Sequence, residues 1–220
     1  HVPAERFAPM TARALLPLAL GLALAPLHLA ASHRPPSPRL SFAPVDTVRF
    51  AELGRCATAG GEEILDCRLG YRTLGTLNAA RDNAVLIPSW YGGHSTNMQR
   101  IIGPEAMVDT TRFFAILVDA LGNGVSTSPS NSARQAGSAF PRVTITDMVD
   151  AQHRLVTEHL GLQRLHAVGG YSMGAMQALE WGVRYPDSMD AVVSLLGTPT
   201  LTTHDRFTFR TLRWMVHLAE

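Results

Sequence analysis

The sequence has little cysteine, few aromatic residues and no excess of charge of either sign. Only two of its 220 residues are cysteine, 7% are aromatic and 17% are charged, and 19 Lys and Arg against 18 Asp and Glu leave a formal net charge of +1. Nucleic-acid-binding proteins usually carry a basic excess on one face, so no nucleic-acid partner is expected. At 46% hydrophobic residues, the chain is also too apolar for an intrinsically disordered protein.

Several functional motifs are missing too. The sequence contains no Walker pattern and no G-x-G-x-x-G, so neither a phosphate-binding loop nor a dinucleotide site is indicated. No group of His, Cys and Asp has the spacing of metal ligands. We therefore predict no metal and no other cofactor.

Residues 10–32 have the pattern of a signal peptide. Arg13 precedes an uncharged, Leu- and Ala-rich run at 14–29, and small residues follow at 30–32. A positive start, a short apolar middle and a small-residue exit predict export to the periplasm or the medium. A retained anchor or a buried helix is the alternative, although a span needs about 20 apolar residues and this run is shorter and broken by proline.

The parts of the chain around this segment are interpreted from it. Met10 is the first methionine, so residues 1–9 are expected to be upstream readthrough. The polar, Pro-rich residues that follow the signal predict a linker over 33–49. The folded domain is then expected to begin at residue 50.

The two cysteines are placed for a disulfide. Cys56 and Cys67 flank Gly60-Gly61, which is a turn signal, and the residues on both sides have strand-like composition. A hairpin would bring the two thiols together, and an exported protein meets oxidising conditions. Two unpaired cysteines remain the alternative, because the spacing matches no redox or zinc motif.

Short apolar runs alternate with helical stretches along the rest of the chain. The pattern predicts strands at 66–74, 84–87, 113–118, 165–168 and 191–196, and helices at 144–160 and 173–184. Strands that alternate with helices are typical of an α/β fold, with a mostly parallel sheet and helices on both faces.

One motif carries chemistry. Residues Gly170, Ser172 and Gly174 form a G-x-S-x-G pattern, with an apolar strand before it and a helix after it. This strand–turn–helix context predicts a nucleophile elbow, in which a tight turn pushes the serine hydroxyl out beside a helix N-terminus. An inert serine in a Gly-rich turn is the alternative.

An acyl-transfer serine also needs an oxyanion hole, formed by backbone N–H groups that bind the negative oxygen of the transition state. One donor is expected to be the N–H of Met173, the residue after the nucleophile. The second is predicted to be the N–H of Tyr91, in the loop at 88–93 that follows an earlier strand. The alternative is that Trp90 and Tyr91 merely pack this loop. His94, next to the loop, is a candidate for substrate contact or for solvent exposure.

Together these motifs resemble the homoserine O-acetyltransferase family of the α/β-hydrolase superfamily. The resemblance runs from about residue 50 to 196 and rests on the segments 71–78, 81–86, 121–122, 126–130, 140–148, 170–181 and 185–187. It implies an α/β-hydrolase fold and a serine acyl-enzyme mechanism with Ser172 as the nucleophile.

The departures from that family favour an esterase. Tyr171 and Ala175 stand where the acetyltransferases typically have glycine, and residues 89–93 replace their usual His-Ala-Leu-Thr-Gly. Export also favours an esterase, because acetyl-CoA, the acyl donor of the acetyltransferases, is found in the cytoplasm. We expect hydrolysis of a small-molecule ester or acyl substrate, with O-acyl transfer as one alternative and an inactive or binding protein as another. A homodimer is left open.

The triad acid and base are not recognisable. In this superfamily they follow the nucleophile in the order Ser, acid, His, and the stretch after Ser172 offers only His204 and His217 as bases. Thr202 and Asp205 form a capping-box pattern instead. We therefore interpret residues 50–197 as the N-terminal part of the hydrolase domain, ending before its last strands, and 198–220 as the start of a cap region.

Overall fold

The computed structural model describes residues 47–218, and the predicted signal peptide and readthrough lie outside them. Six strands form one sheet and four α-helices accompany it: β1 (Arg49–Ala57), β2 (Glu63–Leu74), β3 (Ala84–Pro88), α1 (Ser95–Met98), β4 (Phe114–Val118), α2 (Ile145–Arg154), β5 (Leu165–Tyr171), α3 (Met173–Arg184), β6 (Met189–Leu195) and α4 (Thr203–His217). In this part of the chain, no helix is long and apolar enough to cross a membrane.

The sheet has the strand order β1-β2-β4-β3-β5-β6. Strand β2 runs antiparallel to β1 and β4, whereas β4, β3, β5 and β6 are parallel neighbours. The carboxyl ends of β3, β4 and β5 therefore meet at one edge of the sheet. Ligands of open α/β sheets bind outside this edge.

The two central strands are buried on both faces. Successive side chains of a strand point to opposite faces, so Leu86 of β3 and Ile116 of β4 join the larger core cluster on one face. Val85 and Leu117 belong to the cluster on the other face. This double burial explains why both strands read as continuous apolar runs without alternation.

Helices α2 and α3 cover the first face. Helix α2 begins at a capping box, in which the Thr144 N–H donates to Asp147 Oδ2 (2.6 Å) and the Asp147 N–H donates back to Thr144 Oγ1 (3.3 Å). The other carboxylate oxygen of Asp147 accepts a hydrogen bond from the Ala59 N–H (2.6 Å), which ties α2 to the β1–β2 hairpin. Trp181 of α3 is fully buried against this core.

The β1–β2 hairpin carries the two cysteines. Cys56 and Cys67 are joined by a disulfide with a Cα–Cα distance of 5.8 Å. Strand β1 begins at Arg49, within the range predicted as linker, and β2 begins at Glu63, three residues before the predicted strand.

The predicted helix over 144–160 is divided in the structure. Helix α2 ends at Arg154 and continues as a π-helical turn over Leu155–His159. The Leu160 N–H bonds to the Leu155 carbonyl (2.9 Å), five residues back. The wider turn keeps Leu155 and Val156 buried together in the core.

Candidate active site

Ser172 lies at the carboxyl end of β5, between the strand and helix α3. Its backbone has φ 54° and ψ −121°, a region that a residue with a Cβ rarely occupies and that persists only where the surroundings enforce it. The Ser172 N–H donates to the Leu195 carbonyl at the end of β6 (2.9 Å). The sheet thus holds the serine in a strained turn at the edge where ligands bind.

Two close approaches explain why glycine flanks this turn. A Cβ on Gly170 would lie 2.7 Å from the Ala175 nitrogen and closer still to the Gly174 carbonyl group. A Cβ on Gly174 would collide with the Pro88 carbonyl oxygen at the end of β3. The first turn of α3 therefore lies directly on both β5 and β3, and neither position has room for a side chain.

The N-terminus of α3 presents a free amide beside the serine. The Ala175 and Met176 N–H groups both donate to the Ser172 carbonyl (2.9 and 3.1 Å), which closes the first turn. The Met173 N–H has no acceptor among the residues that the structure describes. Such an amide, at the positive end of a helix, is suited to bind a developing oxyanion.

The loop after β3 is anchored at its first residue. Ser89 is fully buried; its N–H donates to the Val118 carbonyl (3.0 Å) and its Oγ accepts from the Ala120 N–H (3.0 Å). The next residues form a tight turn, closed by the Gly93 N–H on the Trp90 carbonyl (2.9 Å). The Tyr91 side chain is 72% exposed, and its N–H finds no acceptor within the described part of the chain.

Trp90 also packs this loop, as the alternative interpretation supposed. Its indole lies against Gly93, where a Cβ would approach Nε1 to 2.6 Å. The indole also meets the Tyr171 ring edge-on, with 6.1 Å between centroids. Packing by Trp90 and a free amide at Tyr91 are therefore compatible roles of neighbouring residues.

A buried carboxylate next to the loop was missed by the sequence analysis. Asp119 follows β4 and is fully buried. Its carboxylate accepts hydrogen bonds from the Ser95 N–H (2.8 Å), the Ser95 hydroxyl (2.7 Å) and the Asn123 amide (2.9 Å). These bonds hold the start of α1 against the loop after β4. The only signal in the sequence is an acidic residue directly after a buried strand.

An apolar cavity of about 370 Å³ lies beside the elbow. It is lined by Val85 and Ile87 of β3, Ala167 and Tyr171 of β5, and Trp90 of the loop after β3. Val85, Ile87 and Ala167 belong to the core cluster on the second face of the sheet. The cavity therefore extends from the predicted oxyanion loop along that face.

None of the histidines that the structure describes bonds to Ser172. His94 is half-buried, and its Nε2 lies 3.1 Å from the Asn123 carbonyl, so it holds two loops together rather than standing in solvent. His204 is exposed at the start of α4. Asp205 caps that helix through Thr202, whose N–H and hydroxyl donate to Asp205 Oδ2 (2.8 and 2.7 Å). The His217 side chain lies outside the described residues.

His153 of α2 packs against aromatic residues of α3 and of the turn that follows it. Its ring stacks on Tyr185, with centroids 3.8 Å apart, and also contacts Trp181. This burial lowers the pKa of His153, and the nearby Asp150 and Glu158 only partly oppose the shift. His153 is therefore a half-buried, packed side chain. Among the described residues, no three His, Cys, Asp or Glu side chains are grouped as a metal site requires.

Comparison with known proteins decides the family. A family model described as the alpha/beta hydrolase fold matches residues 85–215, which include the elbow and both neighbouring loops. The chain belongs to the α/β-hydrolase fold family. The predicted α/β-hydrolase fold is thereby confirmed.

This α/β hydrolase is similar to esterases. It is 44% identical over 165 residues to a probable esterase of Corynebacterium glutamicum, covering 74% of this chain and 47% of the relative. It is 42% identical over 156 residues to the ethyl acetate hydrolase of Pseudomonas veronii, covering 70% of this chain and 43% of that protein. The crystal structure of an acetylester hydrolase from C. glutamicum superimposes with a TM-score of 0.76 at 40% identity, over 78% of this chain and 50% of that one.

The resemblance to homoserine O-acetyltransferases is also confirmed. The chain is 40% identical over 149 residues to the enzyme of that name from Geotalea uraniireducens, covering 60% of this chain and 40% of the relative. The chain spans about half the length of the curated relatives that it matches.

Proposed function

We propose that the protein hydrolyses small esters through an acyl-enzyme on Ser172. The observation that carries the proposal is the Ser172 backbone, held at φ 54° and ψ −121° at the carboxyl edge of the sheet. The Met173 amide beside it bonds to no residue in the described part of the chain. A structural serine gains nothing from this strain, whereas a nucleophile needs the exposed hydroxyl that the turn produces.

The reaction follows from this geometry. The Ser172 hydroxyl adds to the ester carbonyl carbon while a general base takes its proton, and the Met173 and Tyr91 N–H groups bind the resulting oxyanion. Collapse of the tetrahedral intermediate expels the alcohol, which receives the proton. Water then repeats the sequence on the acyl-serine and releases the acid. The base and its orienting acid have no candidate among the contacts of Ser172 with described residues.

Acetyl esters of small alcohols are the proposed substrates. Two relatives are named for such substrates, an ethyl acetate hydrolase that is 42% identical to this chain and an acetylester hydrolase that is 40% identical. Tyr171 favours a small ester over a bulky acyl donor such as acetyl-CoA, because it stands next to Ser172 at a position where glycine is typical of the acetyltransferases.

O-acetyl transfer to a hydroxyl acceptor such as homoserine is the second candidate. It is favoured by the 40% identity to a homoserine O-acetyltransferase, and it uses the same acyl-serine. The two functions differ in the acyl donor and in whether water or another hydroxyl attacks that intermediate.

We also propose that the protein is exported, with residues 10–32 as its signal peptide. The Cys56–Cys67 disulfide supports this proposal, since disulfides persist mainly in oxidising compartments. Mass spectrometry of the N-terminus of the protein from its native host tests it. Detection of a mature chain that still contains residues 10–32 would contradict it.

The enzymatic proposal is tested with the protein at its full natural length. A fluorophosphonate probe should label Ser172, and Ser172→Ala should abolish both labelling and p-nitrophenyl acetate turnover. Absence of labelling in the folded wild-type protein would reject the nucleophile. Turnover that is unchanged by homoserine and acetyl-CoA supports hydrolysis, whereas formation of O-acetylhomoserine from the two identifies the transferase.

A further inference from the structure

Gln177 of α3 connects the two segments that carry the predicted oxyanion donors. It lies one turn after Met173 and is fully buried. Its amide nitrogen donates to the Ser89 carbonyl (3.0 Å), after β3, and to the Met173 carbonyl (3.2 Å), in its own helix. Gln177 thus bonds both to Ser89, two residues before Tyr91, and to Met173, the residue after the nucleophile.

This amide is itself held in place by a buried chain of hydrogen bonds. Gln177 Oε1 accepts from the Gln152 amide of α2 (2.6 Å), and Gln152 Oε1 accepts from the Trp181 indole N–H (2.9 Å). Gln152 is 1% exposed and Trp181 is not exposed at all. With its oxygen bonded to Gln152, Gln177 must present its nitrogen to the two carbonyls, so the orientation of the amide is determined.

The position of the Ser89 carbonyl sets that of the amides that follow it. Ser89 is fixed to β4 through its N–H and its hydroxyl, and the contact with Gly174 limits how closely α3 can approach Pro88. The hydrogen bond from Gln177 to the Ser89 carbonyl limits how far α3 and the loop after β3 can separate. An oxyanion hole is effective only when both donors lie within about 2.7–3.1 Å of one oxygen atom.

We infer that Gln177 is a positioning residue that sets the spacing between the Met173 and Tyr91 amides. The inference rests on the proposed acyl-serine mechanism and adds a residue to it. Gln177 contacts no reacting atom. It acts by holding the loop after β3 at a constant distance from the nucleophile turn.

The test compares two buried substitutions in the same helix of the full natural-length protein. Gln177→Met keeps the length of the side chain but frees the Ser89 carbonyl. Ala178→Gly removes a buried methyl group from the core and breaks no hydrogen bond of the Gln177 chain. Both should lower the unfolding temperature, because the first leaves a buried carbonyl unpaired and the second removes a core methyl group and a good helix former.

Only Gln177→Met should impair the chemistry. We expect its kcat on p-nitrophenyl acetate to fall about 10- to 100-fold with KM within about twofold, since a displaced donor weakens the transition state more than the ground state. Ala178→Gly should keep kcat within about threefold at a temperature where both variants are folded. Should Gln177→Met not fold, Gln177→Asn, which is one methylene shorter, makes the same comparison.

The outcomes separate this inference from the proposed function. Full kcat in folded Gln177→Met, or an equal loss in Ala178→Gly, would overturn the positioning role while leaving the acyl-serine mechanism intact. A wild-type protein that neither turns over p-nitrophenyl acetate nor reacts with a fluorophosphonate at Ser172 would overturn both.

Discussion

Replacing Gly174 by alanine tests whether the nucleophile turn must touch the end of β3. The added methyl group would lie roughly 1 Å inside an ordinary C···O contact, about 3.3–3.6 Å, with the Pro88 carbonyl oxygen. Both partners are backbone, so neither can rotate away. The nucleophile turn and the loop after β3 must therefore move apart by roughly that amount.

A displacement of this size has two expected consequences. Misplacing catalytic groups by about 1 Å costs on the order of 100-fold in rate, so kcat of Gly174→Ala on p-nitrophenyl acetate should fall by about that factor. Overpacking should also lower the free energy of unfolding by about 1–3 kcal/mol. Steady-state kinetics measure the first effect, and urea unfolding monitored by circular dichroism measures the second.

Gly182→Ala is the matched control on the same helix. A Cβ there would lie 3.2 Å from Val192 Cγ2, a side-chain atom that can yield, and alanine improves helix propensity by about 1 kcal/mol. Its kcat should stay within about twofold of wild type. If Gly174→Ala retains full kcat, or if both variants lose it equally, the reasoning about this contact is wrong.

Three further predictions concern the structure around the site. Replacing Cys56 and Cys67 by alanine opens a loop of sequence separation 11, which should lower the free energy of unfolding by about 3 kcal/mol in urea titrations. Burial lowers the pKa of His153 in the folded protein below its usual 6.5. As the pH falls, the unfolded chain therefore binds the proton before the folded protein does. The stabilisation that is present above about pH 6.5 is lost as the pH falls through the folded-state pKa. His153→Phe should accordingly show a smaller decrease in Tm between pH 7.5 and pH 5.0 than the wild type. Asp119→Ala leaves three donors without an acceptor and should destabilise the fold by at least about 3 kcal/mol in urea unfolding.

Each of these predictions has its own control. Wild-type protein treated with a reductant loses the crosslink but keeps both sulfur atoms. Equal stability before and after reduction would contradict the prediction for the Cys56–Cys67 disulfide. His153→Phe preserves an aromatic ring on Tyr185, so an unchanged pH dependence would show that His153 does not titrate as stated. Asp119→Asn keeps the shape and part of the acceptor capacity of the side chain. Its free energy of unfolding should therefore lie between those of the wild type and Asp119→Ala.

Local patterns predicted the elements that depend on local physics. The helix expected at 173–184 is α3 (Met173–Arg184), because its start is set by the elbow and its end by the Tyr185-Pro186 pair that follows. The central strands were also predicted to within a residue or so, since burial on both faces produces an uninterrupted apolar run. The fold class follows from the alternation of these elements.

Contacts between distant residues could not be predicted in this way. Gln177 and Ser89 are 88 positions apart, and nothing in the sequence distinguishes this buried glutamine from one on a wet helix face. The same holds for His153, whose stacking on Tyr185 depends on how the chain after α3 packs against α2. Propensity and periodicity describe one element at a time, whereas these contacts arise where two elements meet.

The site shows how two separate departures from the acetyltransferase pattern act together. In the sequence, Trp90 and Tyr171 lie 81 positions apart (171 minus 90), and each was a reason to favour an esterase. In the structure their rings pack edge to face at 6.1 Å, with Trp90 before the Tyr91 amide and Tyr171 before Ser172. A glycine at 171 would remove this ring contact between the loop and the strand. The two residues therefore form one unit, which braces the loop after β3 against the nucleophile strand on the side opposite Gln177's helix.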